Sequence, residues 1–196
     1  ADNAHGSGKG HRSGKGQGAT LFLNPGGPGG SGQEMLDTFE TDQFADYDVI
    51  GWDPRGTGES PPVRCGTDAQ TDAFHALDFT PHSPAEWNAL TSGAKTFAQQ
   101  CRQASGALLD HVSSIDSARD LDYLRHLVGD EKLTYLGVSY GTYLGAMYAE
   151  LYPHRVGRMV LDSAVNITTK EPPSQQEVFD KSFHEFATWC AQPRSR

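Results

Sequence analysis

Residues 132–145 read Lys-Leu-Thr-Tyr-Leu-Gly-Val-Ser-Tyr-Gly-Thr-Tyr-Leu-Gly, and no other segment constrains the fold as tightly. Leu133 to Val138 is a short run of apolar, aromatic and β-branched residues, the pattern of a buried strand. Thr142 to Tyr152 is rich in Ala, Leu, Met, Tyr and Glu and reads as a helix. Between them Gly137-Val138-Ser139-Tyr140-Gly141 fits G-x-S-x-G, a sharp strand-to-helix turn that lifts a serine hydroxyl off a sheet. A serine in so strained a turn needs neighbours without a Cβ, so that strand and helix can close up. Ser139 is therefore a candidate nucleophile. The competing reading is a glycine-rich strand–helix turn with a capping serine.

A second segment fits the first. Thr20 to Leu23 is another buried-strand candidate, and Asn24-Pro25-Gly26-Gly27-Pro28-Gly29-Gly30-Ser31-Gly32 follows it. Such a loop has almost no side chains to bury, but it can hold backbone N–H groups rigidly against a ligand. An acyl-transfer site takes one oxyanion donor from the residue after the nucleophile and one from a loop after an earlier strand. Those donors would be Tyr140 and Gly27. The competing reading is a phosphate-binding loop. No Gly-Lys-Ser/Thr closes the segment, and the G-x-G-x-x-G spacing is not kept.

A third landmark is Tyr47 to Ser60, a short strand running into Trp52-Asp53-Pro54-Arg55-Gly56-Thr57-Gly58-Glu59-Ser60. Structural roles suit both Asp53 and Arg55, since an arginine in a tight loop commonly satisfies carbonyls or pairs with a carboxylate.

The order expected along the chain is strand 19–24, helix 32–40, strand 47–52, irregular 54–82, helix 84–104, helix 114–128, strand 132–138, helix 140–152, strand 156–162 and helix 174–191. Gly129 is the expected stop of the helix that opens near Ser114 and Asp116. Alternating strands and helices imply a mostly parallel sheet flanked by helices, joined by right-handed crossovers. Residues 1–18, with six glycines and basic Lys9, Arg12 and Lys15, read as a flexible tract. Its His5 and His11 do not make a metal site without further ligands, and no metal or cofactor is called for.

Composition narrows the partners. A net charge of −9 argues against nucleic acid and anionic membranes, and mildly favours a substrate with a positive end. No apolar run approaches the ~18 residues of a membrane span. Three cysteines, Cys65, Cys101 and Cys190, leave one over if two pair.

Taken together, the segments 24–32, 51–60, 118–125 and 135–145 resemble the secreted tripeptidyl aminopeptidases of actinomycetes, in the prolyl-iminopeptidase-like branch of the α/β-hydrolases. The resemblance covers about residues 19–191. It implies an α/β-hydrolase core over 19–170 and the start of a helical cap over 171–196. It implies Ser139 as nucleophile, with Gly27 and Tyr140 as oxyanion donors. It also implies a Cys65–Cys101 disulfide, a partner for Cys190 outside this chain, and secretion. Asn24-Pro25 stands where many relatives of the wider branch carry a histidine, which points to the tripeptidyl side.

In this fold class the triad follows the order Ser, Asp/Glu, His. After Ser139 come only His154 and His184. His154 is separated from the turn by a helix and reads as structural, because a base must come within hydrogen-bond reach. His184 lies in the amphipathic stretch 177–190 with Val178, Phe179, Phe183, Phe186 and Trp189, a cap surface or core position. Asp162 ends a strand beside the turn and is a weak candidate for the acid. The resemblance places the acid and the histidine beyond the cap, so the fold is expected to be incomplete here, with a second polypeptide carrying the remainder. The expected activity is a serine exopeptidase acting on peptides with free N-termini. An esterase or lipase chemistry with the same residues, or a catalytically incomplete fragment, are the alternatives.

Overall fold

The computed structural model describes residues 18–167 and 175–192. The glycine-rich tract expected over 1–18 lies outside the described residues except for its last member. The chain divides into two units, one ending at Val165 and one beginning at Asn166.

In the first unit four strands form one sheet: β1 (Thr20–Asn24), β2 (Asp48–Gly51), β3 (Leu133–Val138) and β4 (Val156–Asp162). Their order is β2-β1-β3-β4 and every pairing is parallel. Both faces of β1 are buried, so its five residues are inaccessible on alternating sides, as a strand covered on both faces requires. Leu21, Leu23 and Val49 face one side, where Met35, Leu36 and Phe39 of the α1 region (α1, Gly32–Thr38) pack. Phe22, Leu133 and Tyr135 face the other, with Ala118 and Leu121 of one helix and Leu144 and Tyr148 of another.

Those two helices are α4 (Ser114–Val128) and α5 (Tyr140–Leu151). Gly129 ends α4 in the left-handed conformation, as its sequence position implies. Between α4 and α5, Asp122 is buried and salt-bridged to Arg125 at 2.9 Å and to Arg155, and it also accepts from the Tyr148 hydroxyl at 3.1 Å.

Residues 54–82 are not irregular throughout. They contain α2 (Asp68–His75), and α3 (Pro84–Ser105) follows. The start signal of α2 is a capping box. Thr67 accepts from the Gln70 N–H, and the Gln70 side chain returns a bond to the Thr67 N–H. Thr67-x-x-Gln70 carries that signal in the sequence, but only Ala69, Ala73 and Phe74 give the helix an apolar face. α3 is joined to the segment before α2 by a Cys65–Cys101 disulfide, the pairing the family resemblance implied. Ser105 adds a second tie there: it donates to the Arg64 carbonyl at 2.8 Å and accepts from the Arg64 N–H at 2.7 Å.

In the second unit α6 (Gln175–Ala191) spaces Phe179, Phe183 and Phe186 along one stripe. Cys190 is exposed and has no disulfide partner among the described residues. No helix among the described residues is long and apolar enough to cross a membrane.

The disulfide closes a 36-residue separation. The double variant Cys65→Ser, Cys101→Ser is expected to lose about 3–4 kcal/mol through the freer unfolded chain. A urea titration reads this as a lower midpoint with a steeper slope, because the unfolded chain without the cross-link exposes more surface.

Candidate active site

The chain starts in β1, steps outward to β2, then crosses back to β3 on the other side of β1. Strand order therefore reverses between β1 and β3, and the crossover helices lie on opposite faces. The crevice at the carboxyl ends of such neighbouring strands is where open α/β sheets bind ligands. Asn24, the last residue of β1, is level with Gly137 near the end of β3. The glycine loop after β1 and the serine turn after β3 thus leave the sheet side by side.

Ser139 has φ 55° and ψ −121°, a conformation that costs a non-glycine residue about 1–3 kcal/mol. Backbone bonds hold it from both sides. Its N–H donates to the Asp162 carbonyl on β4 at 2.9 Å. Its carbonyl accepts from the Thr142 N–H at 2.9 Å and from the Thr142 hydroxyl at 2.6 Å. The Thr142 Oγ1 in turn accepts from the Val165 N–H at 2.9 Å, tying the segment after β4 to the turn. Tyr135, buried in β3, donates its hydroxyl to the Gly141 carbonyl at 2.8 Å, and burial pushes its phenol upward, so it stays a donor.

The hydroxyl of Ser139 is treated differently from its equivalents. Each of α1 to α4 begins with Ser31, Thr67, Ser83 or Ser113, whose side chain accepts from the helix backbone. Ser139 occupies the same position before α5, yet its side chain makes no capping bond, and the residue is exposed. A simple capping role is thereby ruled out, and the hydroxyl is left available.

The glycine loop presses on this turn. Gly26 has φ 90°, and a Cβ there would stand 2.7 Å from the Tyr140 nitrogen and 2.4 Å from the Val138 carbonyl. Only glycine allows that approach. Gly141 closes the contact from the other side, where a Cβ would lie 2.6 Å from the Asn24 carbonyl. Asn24 is fully buried and its Oδ1 accepts from the Gly26 N–H at 3.1 Å. The loop is then closed on itself by Gly30 N–H donating to the Gly26 carbonyl at 2.9 Å. The structure thus brings Gly26, the residue before Gly27, against the backbone nitrogen of Tyr140.

Arg55 does what its loop position suggested. It forms a two-pronged pair with Asp120 on α4, at 2.6 and 2.5 Å, and a 3.1 Å bond to the His111 carbonyl. No sequence signal marks the bond between the Tyr140 hydroxyl and Ser114, 2.6 Å apart and 26 positions distant. Nor does any reveal how many partners Asp53 has. That carboxylate accepts from the Ser31 hydroxyl at 2.8 Å, the Glu59 N–H at 2.8 Å, the Gln33 side chain at 3.0 Å and, more weakly, the Gln33 N–H at 3.4 Å.

His154 lies in the short 3-10 turn Pro153–Arg155, just before β4 begins. Because β3 and β4 are parallel and Leu133 is level with Val156, His154 sits at the opposite end of the sheet from Ser139. Six strand residues at about 3.3 Å each separate the two ends, far beyond hydrogen-bond reach. Asp162 serves the turn through its backbone carbonyl, and its carboxylate accepts from Ser163 at 3.3 Å. His184 bonds within α6, to the Asp180 carbonyl at 2.9 Å.

An open parallel sheet with helices on both faces, a strained serine between strand and helix, and a glycine loop against it define an α/β-hydrolase. A sequence profile of the family described as alpha/beta hydrolase fold matches residues 19–195, and the chain belongs to that family. It is similar to a tripeptidyl aminopeptidase of Streptomyces coelicolor, 40% identical over 186 residues, covering 89% of this chain and 34% of the relative. Serine protease Hip1 of Mycobacterium tuberculosis is 38% identical over 183 residues, covering 88% of this chain and 35% of that protein. Carboxylesterase B of the same organism is 37% identical over 181 residues, with 87% and 35% covered. The chain thus spans about a third of the length of these relatives. Among solved structures, ALR0039 of Nostoc sp PCC 7120, titled as an alpha/beta hydrolase, superposes with a TM-score of 0.51. It is 18% identical and covers 91% of this chain and 46% of that one, a likeness of fold alone.

Burial raises the Asp53 carboxyl pKa, but the bonds from Glu59, Ser31 and Gln33 outweigh it and hold the group below its ordinary value. A depressed folded value gives stability that is present above the unfolded pKa of about 3.9 and lost as pH falls below it. The Asp53→Asn variant is expected to show a flatter stability profile than the parent protein from about pH 4 downward. Urea midpoints measured across that range check it.

Proposed function

We propose that this chain carries the nucleophile of a serine exopeptidase that releases tripeptides or short peptides from free N-termini. The observation that carries the reading is Ser139, held at φ 55° with its hydroxyl uncommitted and its following amide beside the glycine loop. In this reading Ser139 Oγ attacks the scissile carbonyl and its proton passes to a histidine. The C–N bond breaks, the amine leaves with a proton, and water hydrolyses the acyl-enzyme. The N–H groups of Tyr140 and Gly27 hold the oxyanion, each worth about 3–4 kcal/mol of barrier if the donor is well aimed.

The triad histidine and acid come from sequence outside these 196 residues, on a second polypeptide or a further part of the same one. The coverage of 34% of the Streptomyces relative leaves ample length for them. Residues 171–196 begin the cap that would measure the substrate's N-terminal end, and Cys190 would pair outside the chain. The Cys65–Cys101 disulfide supports a secreted, oxidising setting. A peptide amine also suits a chain with a net charge of −9. No metal or cofactor takes part in this chemistry.

The similarity to carboxylesterase B favours one second reading, ester hydrolysis by the same residues. Tripeptide p-nitroanilides, single-residue p-nitroanilides and p-nitrophenyl esters separate the two. A kcat/KM on the tripeptide amide at least about tenfold above that on the single-residue amide is expected, and turnover of esters alone would reject the peptidase reading. Ser139→Ala is expected to lower kcat by about 10⁴-fold or more and to abolish labelling by a fluorophosphonate.

A further inference from the structure

We propose that Asp53 is the positioning residue for the glycine loop, setting where the Gly26–Gly27 peptide stands relative to the Tyr140 N–H. The proposal rests on the serine-hydrolase reading of Ser139.

The loop has two anchors. At its start, buried Asn24 fixes Gly26 through the 3.1 Å bond to its N–H, and Asn24 is itself locked in the sheet opposite Gly137. At its end, Ser31 is both the cap of α1 and a donor to Asp53. It accepts from the Glu34 N–H at 3.2 Å and donates to Asp53 Oδ1 at 2.8 Å. Gln33 supplies two more bonds from the first turn of the same helix. The residues between the anchors are two prolines and four glycines, which offer no side-chain packing of their own. Without the second anchor, glycines at positive φ such as Gly26, Gly27 and Gly29 have wide conformational freedom.

Asp53 is itself immobilised. It is 8% exposed, and the turn after it folds back so that the Glu59 N–H donates to Oδ2. A Cβ on Gly58 would lie 2.0 Å from that same oxygen, so the turn fits only around the carboxylate. The Ser60 hydroxyl holds the Asp53 carbonyl at 2.8 Å. Arg55, two residues on, clasps the turn to α4. Asp53 therefore transmits the position of the β2–α4 side of the sheet to the end of the glycine loop. An aspartate is suited to this because both oxygens accept, and all four of its partners are donors.

The test uses the intact native protein with every polypeptide that travels with it. Fluorophosphonate labelling of Ser139 gives a second-order rate, and a tripeptide p-nitroanilide gives kcat and KM, each read with Tm. Asp53→Ala is expected to slow labelling and kcat by about 10- to 100-fold, as a donor misplaced by about an ångström does, with KM changed less than about threefold. Asp53→Asn keeps one acceptor oxygen and is expected to recover part of the rate. Ser31→Ala is expected to lose less than Asp53→Ala, and the pair Ser31→Ala, Asp53→Ala less than the product of the two, because they share one clasp. The Cys65→Ser, Cys101→Ser protein, destabilised elsewhere, is expected to label at the parent rate while folded.

Labelling of folded Asp53→Ala within about twofold of the parent overturns the proposal, as do losses that multiply fully with Ser31→Ala. If Asp53→Ala does not fold, Asp53→Asn and Ser31→Ala decide: both at the parent rate overturns it. A parent protein that does not label at Ser139 removes the hydrolase reading itself, whereas a labelling parent with an unaffected Asp53→Ala removes only the role of Asp53.

Discussion

Two parallel strands ending side by side at a reversal of strand order are the constraint on which the rest of the structure depends. Asn24 on β1 and Gly137 on β3 are register partners, so the glycine loop and the serine turn emerge at one level. Right-handed crossovers then place α1 on one face of the sheet and α4 and α5 on the other. Neither helix layer can cover the crevice between β1 and β3. The turn at Ser139 and the loop at Gly26 fill its floor with backbone, which leaves peptide N–H groups rather than side chains as the chemistry of that surface.

The strain at Ser139 is affordable because its surroundings over-determine it. The turn receives bonds to its amide from Asp162 and to its carbonyl from both donors of Thr142, and Tyr135 fixes the Gly141 carbonyl. Each is worth roughly 1 kcal/mol net, enough together to offset a strain of about 1–3 kcal/mol. None of these bonds uses the serine hydroxyl. The same chain caps four other helices with a hydroxyl, so the omission at α5 is a property of the backbone angle and not of the residue type.

Much of this was legible in the sequence, for identifiable reasons. The four strands are short apolar runs with β-branched or aromatic members; β1 stops before Pro25, β2 ends at Gly51 and β3 runs into the serine turn, so most of their ends are locally encoded. The serine turn and the glycine loop are likewise local patterns. What stayed hidden was either weakly amphipathic or non-local. α2 is eight residues with little apolar face, announced only by Thr67-x-x-Gln70. The Ser114–Tyr140 bond and the bonds from Ser31 and Gln33 to Asp53 join positions 20 or more residues apart, and no spacing rule connects them.

The direction of the strands also decides what each charged residue near the sheet can do. His154, Arg155 and the buried Asp122–Arg125 pair belong with α4, α5 and the amino end of β4, whereas Ser139 and Asp162 stand at the carboxyl end. Parallel pairing makes that separation unavoidable, since each helix must carry the chain back across the whole sheet before the next strand starts. Charge at the amino end therefore stabilises helix packing without biasing the serine. At the carboxyl end, the Asp53 carboxylate takes four hydrogen bonds that spread its charge into neighbouring amides and a hydroxyl. An anionic anchor can thus hold a loop whose exposed groups are donors, because its own lone pairs are already occupied by other N–H and O–H groups.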